Sequence, residues 1–241
     1  MAGRPVKTEG VVLRSLRFGE ADRILHLYTP DRGRISAIAK GVRRARSRFG
    51  GRLEPFSHVA LILHEGRSDL MTVTGADSIR PHRRLREDGP AIDAAARACD
   101  AVGRLFETCE PHPEVFHLLL NELALLDADP SKATHANQLA FRMKLLLAAG
   151  LAPQLSACAT CGEHEHLVAF SGAAGGVVCA ACEAGAFAMG EEAHAFMVGS
   201  IGRPLAEAPD ASDRALRQAD RAISATVEHH AHLKLRPALA G

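Results

Sequence analysis

The feature that most constrains the fold of this chain is a repeated Cys-x-x-Cys pattern. Cys158 and Cys161 form one pair, Cys179 and Cys182 form the other, and 17 residues lie between them. Each pair puts two sulfur atoms on one tight turn, so two turns supply four thiolates at the corners of a tetrahedron. The spacing predicts a knuckle at residues 156–185 that holds one structural Zn²⁺. Since cysteines fill every ligand position, we expect no catalytic role for this metal; metal-free thiols or a redox pair are the alternatives.

The composition predicts a globular protein of one large domain or two ordinary ones. The chain has 241 residues, of which 47% are hydrophobic and 24% are charged, and this balance excludes disordered and low-complexity classes. No apolar stretch approaches the roughly 18 residues of a membrane span, and no apolar run follows the first basic residue as in a signal peptide. We therefore expect a cytoplasmic protein, in which cysteines stay reduced.

The charged residues are unevenly distributed along the chain. The formal net charge is +1, but residues 1–86 contain 18 Lys and Arg against 8 Asp and Glu, whereas residues 87–241 contain 11 against 20. Two regions of opposite sign predict two domains with different partners, and the first partner is expected to be a polyanion.

Five short segments rich in alternating apolar residues predict a small β-barrel in residues 1–80. A long polar connection separates the third segment from the fourth. Full closure removes the exposed edges of such a sheet. The OB-fold has this size and strand count, and an SH3-like barrel fits the strand count nearly as well. The segments are Glu9–Leu16, Arg23–Thr29, 35–40, Val59–His64 and Leu70–Thr74.

The long connection is strongly basic. Residues 40–48 include five Lys or Arg, Arg52 follows, and no acidic residue occurs before Glu54. A charge run is commonly a solvated face, but on a barrel of this type the absence of nearby carboxylates favours contact with phosphates. Among the nearby aromatic residues, Phe18, Tyr28 and Phe56 are expected in the barrel core, and Phe49 is the one placed to meet a base.

The second region has the periodicity of amphipathic helices. Helices are predicted at Pro90–Thr108, from Pro113 onward, from a Ser131 cap to Gly150, and from a Ser212 cap near the end of the chain. The predicted fold class is therefore α+β. A five-stranded OB-fold barrel at residues 1–80 precedes an α-helical bundle domain at 81–241, which contains the inserted four-cysteine zinc ribbon.

No common catalytic motif is present. The chain has no phosphate-binding G-x-x-x-x-G-K-[ST] loop, no G-x-G-x-x-G, no H-E-x-x-H and no G-x-S-x-G. The acidic groupings at Glu20 and Asp22 and at Glu191 and Glu192 lack the accompanying ligands or base of a nuclease. We expect a protein that is not an enzyme.

The chain resembles the RecO family of bacterial recombination mediators over nearly its whole length. The resemblance is carried by a series of short stretches at matching spacing, followed by the paired cysteines of a metal-binding member. The stretches are Gly19–Ile24, Tyr28–Pro30, Gly33–Ile35, Lys40–Arg44, Ser47–Arg48 and Leu53–Phe56.

The resemblance implies an N-terminal OB-fold, a helical domain that often contains zinc, and a nucleoid-associated protein. It implies binding of single- and double-stranded DNA, annealing of complementary strands and, with RecR, help in loading RecA onto strands coated by single-strand-binding protein. That protein's acidic C-terminal tail would dock on the helical domain, where Arg142 and Lys144 are candidate contacts. The residues expected to contact DNA are Arg34, Lys40, Arg43, Arg44, Arg46, Arg48 and Arg52.

Two other functions remain open at this point. An RNA-binding or ribosome-associated OB/zinc-ribbon protein would depend on 2′-hydroxyl groups of its ligand. A structural adaptor would use the basic connection to bind an acidic protein, and competition by single-stranded DNA would separate that case.

Overall fold

The computed structural model describes residues 5–66 and 69–238. The chain divides into two compact units, Met1–Pro130 and Ser131–Gly241. Within the described residues, the first contains a β-barrel and two α-helices, and the second contains three α-helices and a small sheet. None of the described helices combines the length and apolar character needed to cross a membrane.

The barrel in the first unit is closed and has five strands. Its strand order is β1-β2-β3-β5-β4, and β1 closes the sheet by antiparallel pairing with β4. The β3–β5 contact is parallel and β5 is antiparallel to β4, so the long connection between β3 and β4 passes β5 at one end of the barrel. The predicted five-stranded barrel is confirmed. The strands are β1 (Pro5–Phe18), β2 (Asp22–Thr29), β3 (Gly33–Ala39), β4 (His58–His64) and β5 (Leu70–Arg80).

Alternate residues of each strand fill the barrel. The odd-numbered residues of β2 and β3, such as Leu25, Leu27 and Ala37, are fully buried, because successive side chains of a strand point to opposite faces. Phe49 and Leu53 from the long connection enter the same core, each 1% exposed. The prediction that Phe49 meets a base is therefore wrong. Its burial stabilises the barrel by about 1.5–3 kcal/mol instead.

Two helices accompany the barrel, α1 (Gly89–Leu105) and α2 (Pro113–Ala128). Asp88 caps α1, because its side chain accepts a hydrogen bond from the Ala91 amide at 2.9 Å. The β2–β3 turn lies against the α1–α2 connection at Gly33, which has φ +58°. A Cβ at this position would lie 2.1 Å from the Glu110 carbonyl oxygen, so only glycine fits.

The second unit is built from α3 (His135–Ala148), α4 (Glu191–Gly202) and α5 (Asp213–His230). Ser212 caps α5 as predicted, since its hydroxyl accepts a hydrogen bond from the Ala215 amide. The predicted Ser131 cap is wrong, because Thr134 caps α3 through the Asn137 amide. The sequence did not predict α4.

The second unit also contains a three-stranded sheet with the order β7-β6-β8. Its strands are β6 (Leu167–Ser171), β7 (Gly176–Cys179) and β8 (Phe187–Ala188). The β6–β7 hairpin carries the chain from the first cysteine pair to the second, which is the arrangement expected of a ribbon.

Candidate nucleic-acid interface and metal centre

The connection between β3 and β4 folds as a chain of consecutive turns. We call residues Lys40–Arg52 the basic segment. Its backbone bonds are local, from the Arg44 amide to the Gly41 carbonyl at 3.1 Å and from the Ser47 amide to the Arg44 carbonyl at 2.9 Å. Gly41 has φ +68° and Gly50 has φ +54°, a region that glycine adopts without a Cβ penalty. The segment is thus an ordered loop rather than a strand or a helix.

The start of the basic segment is attached to the β1–β2 turn. The Gly41 amide donates to Asp22 Oδ1 at 2.7 Å, and the Arg43 amide donates to the Ala21 carbonyl at 2.9 Å. The Arg43 guanidinium also donates to the Glu20 carbonyl at 3.0 Å. These bonds hold the segment against the end of the β1–β2 hairpin.

The residues that follow the basic segment are anchored by two arginines from elsewhere in the unit. Arg23 Nη1 contacts both carboxylate oxygens of Glu54, at 3.0 and 2.9 Å. Arg86 Nη2 donates to the Pro55 carbonyl and to Ser57 Oγ. Glu54 is the first acidic residue after the basic run, and its charge is neutralised by Arg23.

Six cations of the basic segment are exposed and have no carboxylate within 4.0 Å in the part of the chain that the structure describes. Arg52 instead donates to the Arg48 and Phe49 carbonyls, and the Arg48 guanidinium lies 4.8 Å from the centre of the Phe49 ring. The segment therefore presents uncompensated positive charge to solvent. The six residues are Lys40, Arg43, Arg44, Arg46, Arg48 and Arg52.

Arg34, the seventh predicted contact, lies apart from the other six. It is the second residue of β3 and Lys40 follows the end of that strand, a separation of about 20 Å at 3.3 Å per strand residue. Its guanidinium donates to the Gly103 carbonyl at 2.9 Å. It also lines an open cavity of about 970 Å³ together with carboxylates, among them Asp31 and Glu107. This neighbourhood differs chemically from the basic segment.

The aromatic side chains of the barrel are placed differently from the sequence prediction. Tyr28 is fully buried, but it packs against Phe106 outside the barrel core, so its expected place in that core is wrong, and Phe18 is 50% exposed at the end of β1. The signal was available in the strand pattern, because Phe18 continues the outward-facing positions Arg14 and Leu16 of β1.

The four predicted metal ligands come together in the second unit. The sulfur atoms of Cys158, Cys161, Cys179 and Cys182 all lie within 4.8 Å of one another. Cys161 Sγ and Cys179 Sγ are 3.7 Å apart. A tetrahedral zinc ion with bonds of about 2.3 Å needs sulfur atoms about 3.8 Å apart. The donor set therefore fits a closed metal site, and the cluster is consistent with a zinc ribbon.

The local backbone prepares the first cysteine pair for a metal. The Gly162 amide donates to the Cys158 carbonyl at 2.9 Å, and Gly162 has φ +81°, which closes the turn. Desolvation opposes ionisation of Cys158, but the backbone amides of Cys179, Cys161 and Thr160 outweigh it and lower the pKa of this thiol to about 6. The thiolate is the form that binds metal.

Arg142 and Lys144, the predicted contacts for an acidic peptide, are both engaged within the second unit. The Arg142 side chain is only 3% exposed and contacts Asp220 at 3.2 Å and the Arg236 carbonyl. Lys144 Nζ donates to the Ile201 carbonyl at the end of α4 at 2.9 Å. Arg142 is a buried structural residue, so its prediction as a surface contact is wrong.

These features define a protein with an OB-like barrel, a basic loop and a cluster of four cysteines that could hold a metal ion. Two family models match the chain, Recombination protein O N terminal at residues 1–82 and Recombination protein O C terminal at residues 86–237. The chain belongs to the RecO family. The resemblance of the sequence stretches is thus confirmed. The two family models meet near residue 84, whereas the compact units divide after residue 130.

Relatives named DNA repair protein RecO match most of the chain. The protein from Rubrobacter xylanophilus is 40% identical over 235 residues, which cover 93% of this chain and 92% of the relative. The protein from Anaeromyxobacter sp. (strain K) is 38% identical over 233 residues, covering 93% and 91%. The protein from Bifidobacterium adolescentis is 43% identical over 183 residues, covering 72% of each.

Proposed function

We propose that this chain is a DNA repair and recombination mediator that binds single- and double-stranded DNA and anneals complementary strands. The observation that carries the proposal is the basic segment, with six exposed cations and no carboxylate beside them among the described residues. Family membership and the names of the relatives agree with a role in DNA repair. We assign DNA binding to the barrel domain, residues 1–80, and place the protein at the nucleoid.

The proposed mechanism is electrostatic and needs no covalent step. Two DNA strands repel each other through their phosphates, and a cationic surface reduces that repulsion. Arginine forks grip phosphates in pairs of hydrogen bonds, which leaves base edges free to find their complements. Backbone hydrogen bonds hold the segment, and the Arg23–Glu54 ion pair holds the residues that follow it. The side chains of Arg44, Arg46 and Arg48 are therefore available for phosphates.

We propose that the four-cysteine cluster holds one Zn²⁺ with a structural role. Cys158, Cys161, Cys179 and Cys182 would be its ligands, and bound zinc would join the two cysteine turns. The close sulfur atoms and the lowered pKa of Cys158 support this assignment.

We further propose the partners that the family implies. With RecR, the protein would help to load RecA onto strands coated by single-strand-binding protein, whose acidic tail would bind the helical domain. Because Arg142 is buried, the cations that meet this tail must be other residues of that domain.

The salt dependence of DNA binding tests the proposal. If six cations each neutralise a phosphate of a single strand, log K should fall with log salt with a slope of about −4. The variant Arg43→Ala, Arg44→Ala, Arg46→Ala and Arg48→Ala should bind more weakly, reduce the slope to about −1.4, and slow strand annealing.

A variant with four exposed arginines of the second unit replaced is the matched control, since it removes the same charge from another place. It carries Arg203→Ala, Arg214→Ala, Arg217→Ala and Arg221→Ala, and it should retain the wild-type slope. Equal slopes and annealing rates for wild type and the basic-segment variant, with both folded, would remove this segment from the mechanism. Stronger binding to RNA than to a matched DNA strand would favour the RNA-binding alternative instead.

A further inference from the structure

One aromatic side chain stands exposed beside the basic segment. Phe18 is 50% exposed, and it is the only aromatic residue among the large hydrophobic side chains exposed within residues 5–66 and 69–238. It ends β1 and pairs with Asp22 of β2. The exposure is a consequence of strand phase, since Phe18 falls on the outward-facing positions of β1. The neighbouring inward position on β2 is occupied by Arg23, which binds Glu54.

Phe18 is the end of an apolar strip on the outer face of the barrel. Leu16 lies two residues before it on the same face, opposite Ile24, and Ile24 in turn lies opposite Ile38 of β3. Directly opposed residues have Cβ atoms about 4.5–5.5 Å apart, so these side chains form a continuous row. OB-folds bind oligonucleotides on the face of strands 2 and 3 and on the adjoining loop between strands 1 and 2.

The strip borders the cations of the basic segment. Asp22, the pairing partner of Phe18, accepts the Gly41 amide at 2.7 Å, and Lys40 directly precedes Gly41. Arg43 is bonded to the turn between Phe18 and Asp22 through the Ala21 carbonyl. The ring and the first cations are therefore held together by the same short turn.

The charges around Phe18 favour a base over a phosphate. Asp22 and Glu20 lie in the turn beside the ring, and their carboxylates disfavour a phosphate at that point. An uncharged base meets no such repulsion, while its phosphates are attracted to the adjoining cations of the basic segment, of which Arg43 is bonded to this turn. The pairing of an apolar ring with adjacent positive charge is what single-strand binding surfaces use.

We propose that Phe18 is a stacking platform for one base of a single strand whose phosphates lie on the basic segment. The inference rests on the proposed function, and it adds a preference for unpaired strands that charge alone does not supply. A base inside a duplex is already stacked on its neighbours and cannot cover the ring.

A tryptophan at this position reports stacking directly, because the chain contains no Trp. We expect F18W fluorescence to be strongly quenched by an oligothymidylate of about 16 nucleotides, the upper site size of one OB-fold, and much less by a matched abasic strand. I62W is the control, since Ile62 is 40% exposed on another barrel strand. Its emission should not change with either strand.

Affinity measurements complete the test. F18A and F18L should bind the oligothymidylate about 5- to 150-fold more weakly, bind duplex and abasic strands as the wild type does, and keep the wild-type salt slope. F18L retains apolar bulk, so a loss shared with F18A identifies the aromatic ring. Thermal melting confirms that each variant is folded.

The outcomes separate this inference from the proposed function. Suppose that F18A binds the oligothymidylate like wild type and F18W is unquenched, while the variant with the four basic-segment arginines replaced loses binding. In that case the platform is refuted and the proposed function stands. If wild-type protein binds no single strand, both are refuted.

Discussion

Removal of the metal is expected to unfold the cysteine knuckle. On the metal side of the hairpin, the buried cluster consists only of Cys158, Ala169, Val178 and Cys179 among the described residues. Burial of one valine contributes about 1.5–3 kcal/mol and one methyl about 0.8 kcal/mol, so apolar contacts there supply about 2–4 kcal/mol. A structural zinc ion in a comparable small module supplies on the order of 10 kcal/mol. The proposed zinc ion would therefore contribute more than these apolar contacts, and we expect the knuckle to unfold when the metal is chelated.

Hydrogen exchange measured by mass spectrometry checks this prediction. After chelation, the Ala159 and Val177 amides, which donate to the Val177 and Gln154 carbonyls, should exchange at the rate of an unfolded peptide. Amides of the barrel strands β2 and β3 should keep their protection, because the barrel has its own core.

The variant Cys161→Ser is the genetic counterpart of chelation, and Cys109→Ser is its control, since Cys109 is exposed and lies outside the cluster. Metal analysis of protein purified under reducing conditions should give one zinc ion per chain. Metal-free protein with slow exchange across the knuckle would refute the reasoning.

Two further outcomes concern the stability of the first unit. Gly33→Ala should lower the free energy of unfolding by more than about 2 kcal/mol, because its Cβ would collide with the Glu110 carbonyl. Gly19→Ala, which has φ +54° in open space, should cost only about 1 kcal/mol, and equal losses in urea unfolding would contradict the steric explanation. Burial lowers the pKa values of His58 and His82 below their usual 6.5, so the folded state favours neutral rings. These histidines therefore lower stability as pH decreases below about 6.5, where the unfolded chain takes up protons first, whereas desolvation raises the pKa of the buried Glu122 to about 8 and acts in the opposite direction. Thermal melts at pH 5 and pH 7.5 of wild type and His82→Gln isolate the histidine contribution; the variant should lose less stability at pH 5, and an equal loss would contradict the reasoning.

The barrel could be predicted from sequence because its strands are half-buried. The strand pattern located all five strands but gave two of them too short, since β1 begins at Pro5 instead of Glu9 and β5 runs to Arg80 instead of ending near Thr74. The extra residues, including Gly75 and Asp77, have low strand propensity and are held by pairing with β4. That pairing is a tertiary effect and leaves no local pattern.

The metal cluster was also predictable, whereas α4 was not. Each cysteine pair fixes its own turn, so sequence spacing is nearly sufficient. By contrast, α4 contains Gly199 and Gly202, which lower helix propensity, and apolar residues lie on both its buried and exposed sides. Its packing against α3 and α5 supplies the stabilisation that its own sequence lacks.

Phe18 is expected in the core and Phe49 at the surface, but the structure shows the reverse. Phe49 lies in a polar, glycine-rich run and yet is buried, because the connection folds back over the barrel opening. Phe18 is a large apolar residue and yet is exposed, because it falls on the outward-facing phase of β1. Burial of a single aromatic residue depends on the three-dimensional path of the chain.

The basic segment is anchored by amide and carbonyl groups. Phe49, Leu53 and main-chain bonds maintain the loop, so the identities of Arg44, Arg46 and Arg48 are not needed for folding. Substitution of these arginines should therefore change ligand binding without changing the fold of the loop, whereas substitution of Phe49 or Leu53 should change both.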